Sequence, residues 1–525
     1  MLRFFKSNLF FFLLLTAIIF LLYGKSISFD FTYRDDNILI LEKADFLTDI
    51  KNIPKLFTTS CFYSNDFQYY RPILNLFFLT ETICFGINSK IYHFTNIMLF
   101  ILALYLMYVF LCKLNLNKTI LKFIVLLISV HPILTSCAVW IPARNDTLLA
   151  IFIFLSFIFF IKYLETNSIK DLFLYILFFT IALFTKETAI LNLLLYPVFI
   201  YCFDYKFNKK EILKNIVLFV PVLIFYFYLR NISVSGNNIS TYLTNFIVFF
   251  KNAFVGICVY LHELFVPNDF SIMLYEIKLN IFYMLVFVFC VTFMMMCLYK
   301  KIIEKKVLLF CLCWFLFFLL PTFLLLGDYV FFNHRIFISL VAFIFILTIF
   351  VEYIIVKYPI LKKYMAVLFV LLFSVNAYCC FIQQNKYENK YTYWVNTYFD
   401  APAYHGACYW LAYLYTEQKN YSKAREFLKK ANEYGGNRYV SDLALIYYYE
   451  GNYNKAKELY NKSIELGINK AQCYRNLSVI YFKIDNNTNK AIEYAKLAVK
   501  EEPYDDGYKQ YLLNLQKIID EKNNI

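Results

Sequence analysis

Residues 7–23 read SNLFFFLLLTAIIFLLY and contain no charged side chain. A helix of about 17–25 apolar residues is long enough to cross a bilayer, because each residue adds about 1.5 Å. Arg3 and Lys6 precede this stretch, and basic residues favour the cytoplasmic side of a span. No small-x-small cleavage pattern follows, because Gly24-Lys25-Ser26 leads into Ile27. We therefore predict an uncleaved first span with a cytoplasmic N-terminus, rather than a cleaved signal peptide.

The same apolar character recurs along most of the chain. Of its 525 residues, 61% are hydrophobic and 17% charged, whereas soluble chains average about 45–50% and about 25%. This composition excludes a soluble globular enzyme and predicts a polytopic membrane protein. We expect ten further spans, near residues 91–112, 119–135, 147–164, 171–185, 188–203, 213–230, 279–299, 307–326, 336–356 and 364–382.

The net charge of +14 fits this topology better than it fits a nucleic-acid partner, and we predict none. Residues 383–525 hold 20 Lys/Arg and 17 Asp/Glu, so +11 of the charge lies among the apolar segments. Residues 1–382 hold the other 31 Lys/Arg. With eleven spans, 18 of these face the cytoplasm beside five acids, as the positive-inside rule expects. Residues 242–265 are apolar but contain Lys251, His262 and Glu263. We predict a re-entrant or surface helix there, because an extra span would invert the lysine cluster at 300–306.

The C-terminal part has a repeat. Blocks that begin at Cys408, Leu443 and Tyr474 share a pattern of small and aromatic residues, and their marker alanines are Ala424, Ala456 and Ala491. Spacings of 32 and 35 residues between these alanines bracket the 34-residue period of tetratricopeptide repeats. We predict a solenoid of helical hairpins, with residues 504–522 as a capping helix.

Two other classes of site receive no support from the sequence. The 14 Cys residues show no paired CxxC motifs and mostly lie in apolar runs, so we interpret them as buried small side chains. No phosphate-binding glycine loop and no GxSxG nucleophile elbow is present, which argues against ATP-driven or soluble nucleotide-sugar chemistry.

Polar residues stand out at the predicted outer membrane face. Asp35 and Asp36 lie in the first outer loop, residues 25–90, and adjacent carboxylates can supply a general base and an orienting or metal-binding partner. A solvated acidic turn or helix cap is the alternative for this pair. Arg71 closes the same loop and can bind an anionic head group, or it can simply begin a helix.

Further polar groups end or begin other spans on that face. They are His131 before Pro132, Arg144 before Asn145 and Asp146, Lys186 before Glu187, and His334 before Arg335. Each alone is typical of an interfacial anchor. Together, Arg71, Arg144, Lys186 and Arg335 predict a site for the phosphate of a lipid.

These motifs, in this order, resemble the C-type (GT-C) membrane glycosyltransferases. The nearest resemblance is to the transmembrane and tetratricopeptide-repeat-containing protein O-mannosyltransferases and their bacterial relatives. The motifs are Asp35-Asp36, Tyr70-Arg71-Pro72, His131-Pro132 with Arg144-Asn145-Asp146, Phe184-Thr185-Lys186-Glu187, and His334-Arg335. Two positions depart from the family pattern, with Ser136 where a Glu is frequent and Ala143 where a Gly is frequent, so the family's helper acid is missing.

The resemblance implies transfer of a sugar from a polyprenyl-phosphate donor to a protein or glycan acceptor, with a protein Ser/Thr hydroxyl expected, outside the cytoplasm. Asp35 would deprotonate the acceptor hydroxyl, and Asp36 would position the acceptor or a divalent cation. Arg71, Arg144, Lys186 and Arg335 would stabilise the departing phosphate, with His131 and His334 as weaker candidates for the same pocket. The metal requirement stays open, because some GT-C enzymes need a divalent cation and the O-mannosyltransferases do not.

The resemblance thus predicts an all-α fold, a GT-C transmembrane bundle followed by a repeat solenoid. We expect residues 1–382 to form the membrane domain, 383–404 a linker and 405–525 the repeat domain. The expected location is a bacterial inner membrane, with periplasmic repeats that bind an acceptor or a protein partner, or that act only as a scaffold.

Two rival functions are an O-antigen ligase or O-oligosaccharyltransferase and a non-catalytic membrane anchor for the repeats. An outer loop that comes early and carries the Asp pair favours the GT-C enzyme over both.

Overall fold

A computed structural model describes residues 7–63, 69–205, 209–234, 246–266, 271–275, 279–323 and 330–523. Arg3, Lys6, Lys206 and residues 242–245, which entered the topology prediction, lie outside these ranges. The chain divides into two compact units, Met1–Tyr393 and Trp394–Ile525. The predicted fold class is confirmed, because the structure is all-α apart from one two-residue strand pair, with candidate membrane spans followed by the repeats.

The first unit contains long apolar helices and several short helices in the first loop. Their bounds are α1 Asn8–Tyr23, α2 Asp36–Leu39, α3 Ala44–Leu47, α4 Ile53–Leu56, α5 Pro72–Phe85, α6 Ser89–Cys112, α7 Lys118–Ser129, α8 Thr135–Val139, α9 Arg144–Thr166, α10 Ile169–Thr185, α11 Asn192–Cys202, α12 Lys209–Ser233, α13 Phe246–Phe265, α14 Ile281–Tyr299, α15 Lys305–Leu319, α16 Leu340–Lys357, α17 Lys362–Gln383 and α18 Lys390–Asp400. Strands β1 Leu274–Tyr275 and β2 Val330–Phe331 pair antiparallel. Helix α18 contains the boundary between the two units, within the predicted linker.

Among the described residues, seven helical segments are long and apolar enough to cross a membrane, and a bent pair would make eight. The segments are Asn8–Ser28, Ser89–Cys112, Ile141–Thr166, Ile281–Tyr299, Lys305–Phe323, Leu340–Lys357 and Pro359–Tyr387, and the bent pair is Lys118–Ser129 with Pro132–Val139. This count is lower than the predicted eleven. The other three predicted spans are also helical and lie in α10, Glu187–Cys202 and α12.

Helix α9 forms the centre of the membrane unit. It packs against α6 and α10, and most of its side chains are buried, as expected of a helix that is apolar on every face. Its first turn is nevertheless polar, with Arg144, Asn145 and Asp146 all buried. Buried polar groups need partners, because burial removes their hydrogen bonds with water. Those partners organise the site described below.

The second unit consists of successive helices after α18. Their bounds are α19 His405–Glu417, α20 Tyr421–Gly435, α21 Val440–Tyr449, α22 Tyr453–Glu465, α23 Lys470–Lys483, α24 Thr488–Glu501 and α25 Asp506–Asn523. Each of the predicted marker alanines is fully buried, so the helices approach closely there. A recurring Asn caps α20, α22 and α24 by accepting a hydrogen bond from the backbone N–H three residues later. Three helix pairs followed by α25 agree with the predicted solenoid and capping helix.

Candidate functional site

A cavity of about 320 Å³ lies where five separate segments of the membrane unit meet. The segments are the first loop, the start of α9, the turn between α10 and α11, the end of α15, and residues 332–338. Its charged, imidazole and amide side chains are Asp35, Arg71, Asn145, Asp146, Lys186, Glu187, His334 and Arg335. Of the eight predicted site residues, five line this cavity, namely Asp35, Arg71, Lys186, His334 and Arg335.

Asp35 presents an accessible carboxylate to the cavity. Its side chain is 37% exposed, and its nearest charged neighbour is the Nε of Arg34 at 3.9 Å. The backbone has φ 68° and ψ −36°, a conformation that L residues rarely adopt. Such strain costs on the order of 1–3 kcal/mol and is found more often at functional sites than elsewhere.

Asp36 points away from the cavity and is completely buried. Its Oδ2 accepts hydrogen bonds from the backbone N–H of Thr32 at 2.7 Å and from the Thr32 hydroxyl at 2.9 Å. The indole N–H of Trp140, a residue that lines the cavity, donates to the same hydroxyl at 3.2 Å. Asp36 therefore positions the loop and the Trp140 ring, and its predicted direct contact with an acceptor is not supported by this placement.

Burial raises the pKa of Asp36 from 3.8 to about 7, although the Thr32 hydrogen bonds oppose the shift. A carboxyl group whose pKa is higher in the folded than in the unfolded protein stabilises the fold at pH values below its unfolded-state pKa. This contribution is lost as the pH rises through the folded-state pKa. We expect the Tm of Asp36→Asn, minus that of the wild type, to increase between pH 4 and pH 7. Thermal unfolding of the detergent-solubilised protein measures this difference, and a difference that stays constant with pH contradicts the assignment.

Arg71 is held rigidly by three partners. Its Nε and Nη2 donate to the two carboxylate oxygens of Glu187 at 3.3 and 3.0 Å. In the amide orientation that satisfies both of its neighbours, the Asn145 oxygen accepts from Nη1 at 2.9 Å and its nitrogen donates to the carbonyl of Thr185 at 3.1 Å. The ring of Tyr69 lies 4.4 Å from the guanidinium carbon. A bidentate pair of this kind orients the guanidinium and neutralises it.

Lys186 is neutralised in a similar way. Its ammonium lies 2.7 Å from Asp146 Oδ1, and both side chains are nearly buried. Burial lowers the pKa of Lys186, Asp146 opposes this change, and the neighbouring Arg71 and Arg335 reinforce it. The other oxygen of Asp146 lies 3.7 Å from Nε2 of His334. Burial lowers the pKa of His334 to about 3 despite Asp146, so this imidazole is neutral and does not add a positive charge.

Arg335 differs from the other cations of the cavity. Among the described residues it forms no ion pair. Its guanidinium carbon lies 5.2 Å from the centroid of the Phe332 ring, which is a cation–π contact. Lys186 is neutralised by Asp146, and Arg71 by Glu187. Among the described side chains that line this cavity, Asp35 is then the carboxylate, and Arg335 the cation, without a strong ion-pair partner.

Arg144 does not line the cavity, so this placement does not support its predicted contact with a lipid phosphate. Its guanidinium is fully buried and bonded to Glu81, to Oδ1 of Asn96 at 2.7 Å and to the carbonyl of Tyr92 at 2.8 Å. These partners satisfy a charge that is buried inside the helix bundle.

His131 also lies outside the cavity, so its predicted place in the phosphate pocket is not supported. Its Nδ1 accepts from the backbone N–H of Ile133 at 3.2 Å, and its Nε2 donates to the carbonyl of Leu264 at 3.1 Å. Both ring nitrogens are thus used in holding the backbone.

We expect Glu81→Gln to destabilise the protein by about 3–5 kcal/mol, because it leaves the Arg144 charge buried and uncompensated. Lys113→Gln is the matched control. It breaks a more exposed pair with Glu165 (side chains 32% and 43% exposed), so its expected cost is below about 1 kcal/mol. Thermal unfolding in detergent compares them, and equal losses of stability would contradict a structural role for the Arg144–Glu81 pair.

Sequence reasoning left Asp146, Glu187, Asn145 and Trp140 without roles. Asn145 and Glu187 directly follow predicted site residues in the chain, and Asp146 comes one position later, so an acid near a cation at a span end is a usable signal. Trp140 gave no such signal. Among the described residues, no three His, Cys, Asp or Glu side chains meet as they do at a metal site.

Residues 405–434 and 439–466 match the tetratricopeptide repeat family. A comparison with curated proteins finds no match to the chain. The repeat match covers the first two helix pairs of the second unit, and such repeats are typical of protein–protein interaction. The chain is thus a multi-span membrane protein whose C-terminal unit carries tetratricopeptide repeats.

Proposed function

We propose that the protein is a membrane glycosyltransferase of the GT-C type, which moves a sugar from a polyprenyl-phosphate donor to an acceptor hydroxyl, protein Ser/Thr included. The observation that carries this proposal is the cavity itself. It combines an accessible, strained carboxylate, a guanidinium that has no ion pair among the described residues, and two oriented cations, and these groups come from three sequence-distant segments.

Asp35 is the general base of the proposed reaction. Its carboxylate accepts the proton of the acceptor hydroxyl while the acceptor oxygen bonds to the anomeric carbon of the sugar. The bond between that carbon and the phosphate oxygen breaks, and its electron pair leaves with the lipid phosphate. The aromatic rings of Tyr69, Trp140 and Phe332 line the same cavity and offer apolar faces against which a sugar ring can pack.

The cations act on the leaving group. Negative charge develops on the phosphate oxygen as the bond breaks, and donors fixed before the reaction stabilise it without reorganisation. Arg335, which forms no ion pair among the described residues, supplies positive charge, and the paired Arg71 and Lys186 retain further N–H donors. Their carboxylate partners, Glu187 and Asp146, act as positioning residues because they fix the donors by hydrogen bonds of 2.7–3.3 Å.

The orientation of the protein in the membrane is part of this proposal. The predicted cytoplasmic loops carry most of the basic residues of the membrane unit, which supports an extracytoplasmic cavity and extracytoplasmic C-terminal repeats. We expect a cysteine introduced in the tail to react with a membrane-impermeant reagent added from outside, and one beside Lys300 to be protected. The repeats fit a protein acceptor or an assembly partner, since stacked helix pairs present an extended binding surface.

The experiment is sugar transfer by the full-length protein in vesicles. Polyprenyl-phosphate donors that carry different labelled sugars are supplied with candidate acceptor proteins, and intact mass reports the addition. Transfer of a single sugar supports the proposal. Transfer of a whole glycan from a pyrophosphate carrier would favour an oligosaccharyltransferase, and partner binding without any transfer would favour a scaffold, the function that the repeat match alone supports.

A further inference from the structure

A second, larger cavity of about 660 Å³ lies in the membrane unit and has no role in the proposed reaction. Its walls are largely aromatic and include the rings of Phe160, Tyr175, Tyr196 and Phe219. The hydroxyl of Tyr196 is hydrogen-bonded to the Ser156 hydroxyl at 2.8 Å, so that polar group is already satisfied. Such walls suit a hydrocarbon chain rather than a polar ligand.

The two cavities lie toward opposite ends of the same helices. On α9, Leu149 lines the first cavity and Phe160 the second, and eleven residues of helix separate them by about 16 Å. On α15, Phe318 lines the first and Lys306 the second, about 18 Å apart by the same rise per residue. The second cavity therefore lies some 16–18 Å along these helices from the proposed sugar-transfer site.

The lining includes charged groups. Lys306 and Asp204 line this cavity and form an ion pair with side chains 38% and 73% exposed, and the Tyr201 ring centroid lies 5.3 Å from the lysine nitrogen. Lys306 and Asp204 balance each other, but the adjoining segment 300–305 carries three further lysines and one acid, an excess of +2. Clustered lysines beside a membrane helix attract anionic head groups, each by about 1 kcal/mol.

We propose that this cavity binds one acyl chain of an anionic phospholipid, with the phosphate of the head group beside Lys306 and the neighbouring lysines. The aromatic walls exclude water from the acyl chain, and the excess positive charge of the segment next to Lys306 selects the head group. The site is independent of the proposed sugar transfer, because it uses other residues at the other end of the helices.

Native mass spectrometry of the full-length protein tests this assignment. The protein is reconstituted with equal amounts of phosphatidylglycerol and phosphatidylcholine and extracted in a mild detergent. We expect the wild type to retain phosphatidylglycerol, and Leu193→Trp, which fills the cavity, to retain about tenfold less. The matched control is Leu194→Trp, because Leu194 does not line the cavity and is 53% exposed, and it should retain the lipid as the wild type does.

Lys306→Gln is the second variant, and because the Lys306 side chain is partly exposed, we expect this protein to fold as the wild type does. It should reduce the preference for phosphatidylglycerol over phosphatidylcholine toward unity while leaving some lipid bound. Undiminished lipid on Leu193→Trp, equal loss on Leu194→Trp, or an unchanged preference in Lys306→Gln overturns the proposal. Retention of a polyprenyl phosphate instead would assign the cavity to the tail of the sugar donor.

Discussion

Asp35→Asn is expected to lower the rate of sugar transfer by about 10²- to 10⁴-fold, the usual contribution of a general base. The amide keeps the size of the side chain but cannot accept the hydroxyl proton. Asp35 is accessible and has a single weak ion-pair contact, with Arg34, so the substitution leaves no buried charge without its partner. The stability of the protein should therefore stay close to that of the wild type. Rates are measured in vesicles with the labelled polyprenyl-phosphate donor.

Asp45→Asn is the matched control for this change. Asp45 belongs to the same loop and is exposed, and it does not line the cavity, so transfer should continue at the wild-type rate. Full activity of Asp35→Asn would remove Asp35 from the mechanism. Equal losses in both variants would indicate that the loop as a whole, and not this carboxylate, is needed.

Arg335→Gln is expected to lower transfer by about 10²- to 10³-fold, the range found when one donor to a developing negative charge is removed. Arg335 forms no ion pair among the described residues, so its loss does not leave a carboxylate uncompensated. Activity should fall while the Tm changes little. Lys186→Gln provides the contrast, because it leaves the buried Asp146 without its cation and should lower both activity and Tm.

Lys51→Gln is a control for loss of one positive charge, since Lys51 is exposed in the first loop. It should leave both transfer and stability unchanged. If Arg335→Gln transfers sugar at the wild-type rate, the phosphate is bound elsewhere. If it lowers Tm as much as Lys186→Gln does, Arg335 has a structural partner and the distinction between the two cations fails.

The sequence predicted much of the architecture because the signals are local. Apolar runs marked helices at all eleven predicted spans, and the alanine period identified the repeats. The described residues contain seven or eight candidate spans against the predicted eleven, because some of the predicted apolar runs, such as that of α11, form shorter helices. The length of each continuous helix was known only once the structure showed where the helix begins and ends.

For the candidate site, only some of the residues that the sequence singled out line the cavity. Asp35, Arg71 and Arg335 line one cavity, as the motif order suggested, whereas Arg144 lies inside the bundle. All four are polar residues at the ends of apolar segments, so the sequence contains nothing that separates them. The difference lies in Glu81, which contacts Arg144 from 63 positions away.

By itself, the sequence determined that this chain enters a membrane and ends in a repeat solenoid, because hydrophobic burial and helical period act between near neighbours. Only the tertiary structure decided which cations are neutralised, since the pairs Arg71–Glu187 and Lys186–Asp146 join residues 116 and 40 positions apart. Ion pairs depend on distances of about 3 Å between side chains, and those distances are set by helix packing rather than by chain order. That packing left Asp35 and Arg335 available to a ligand.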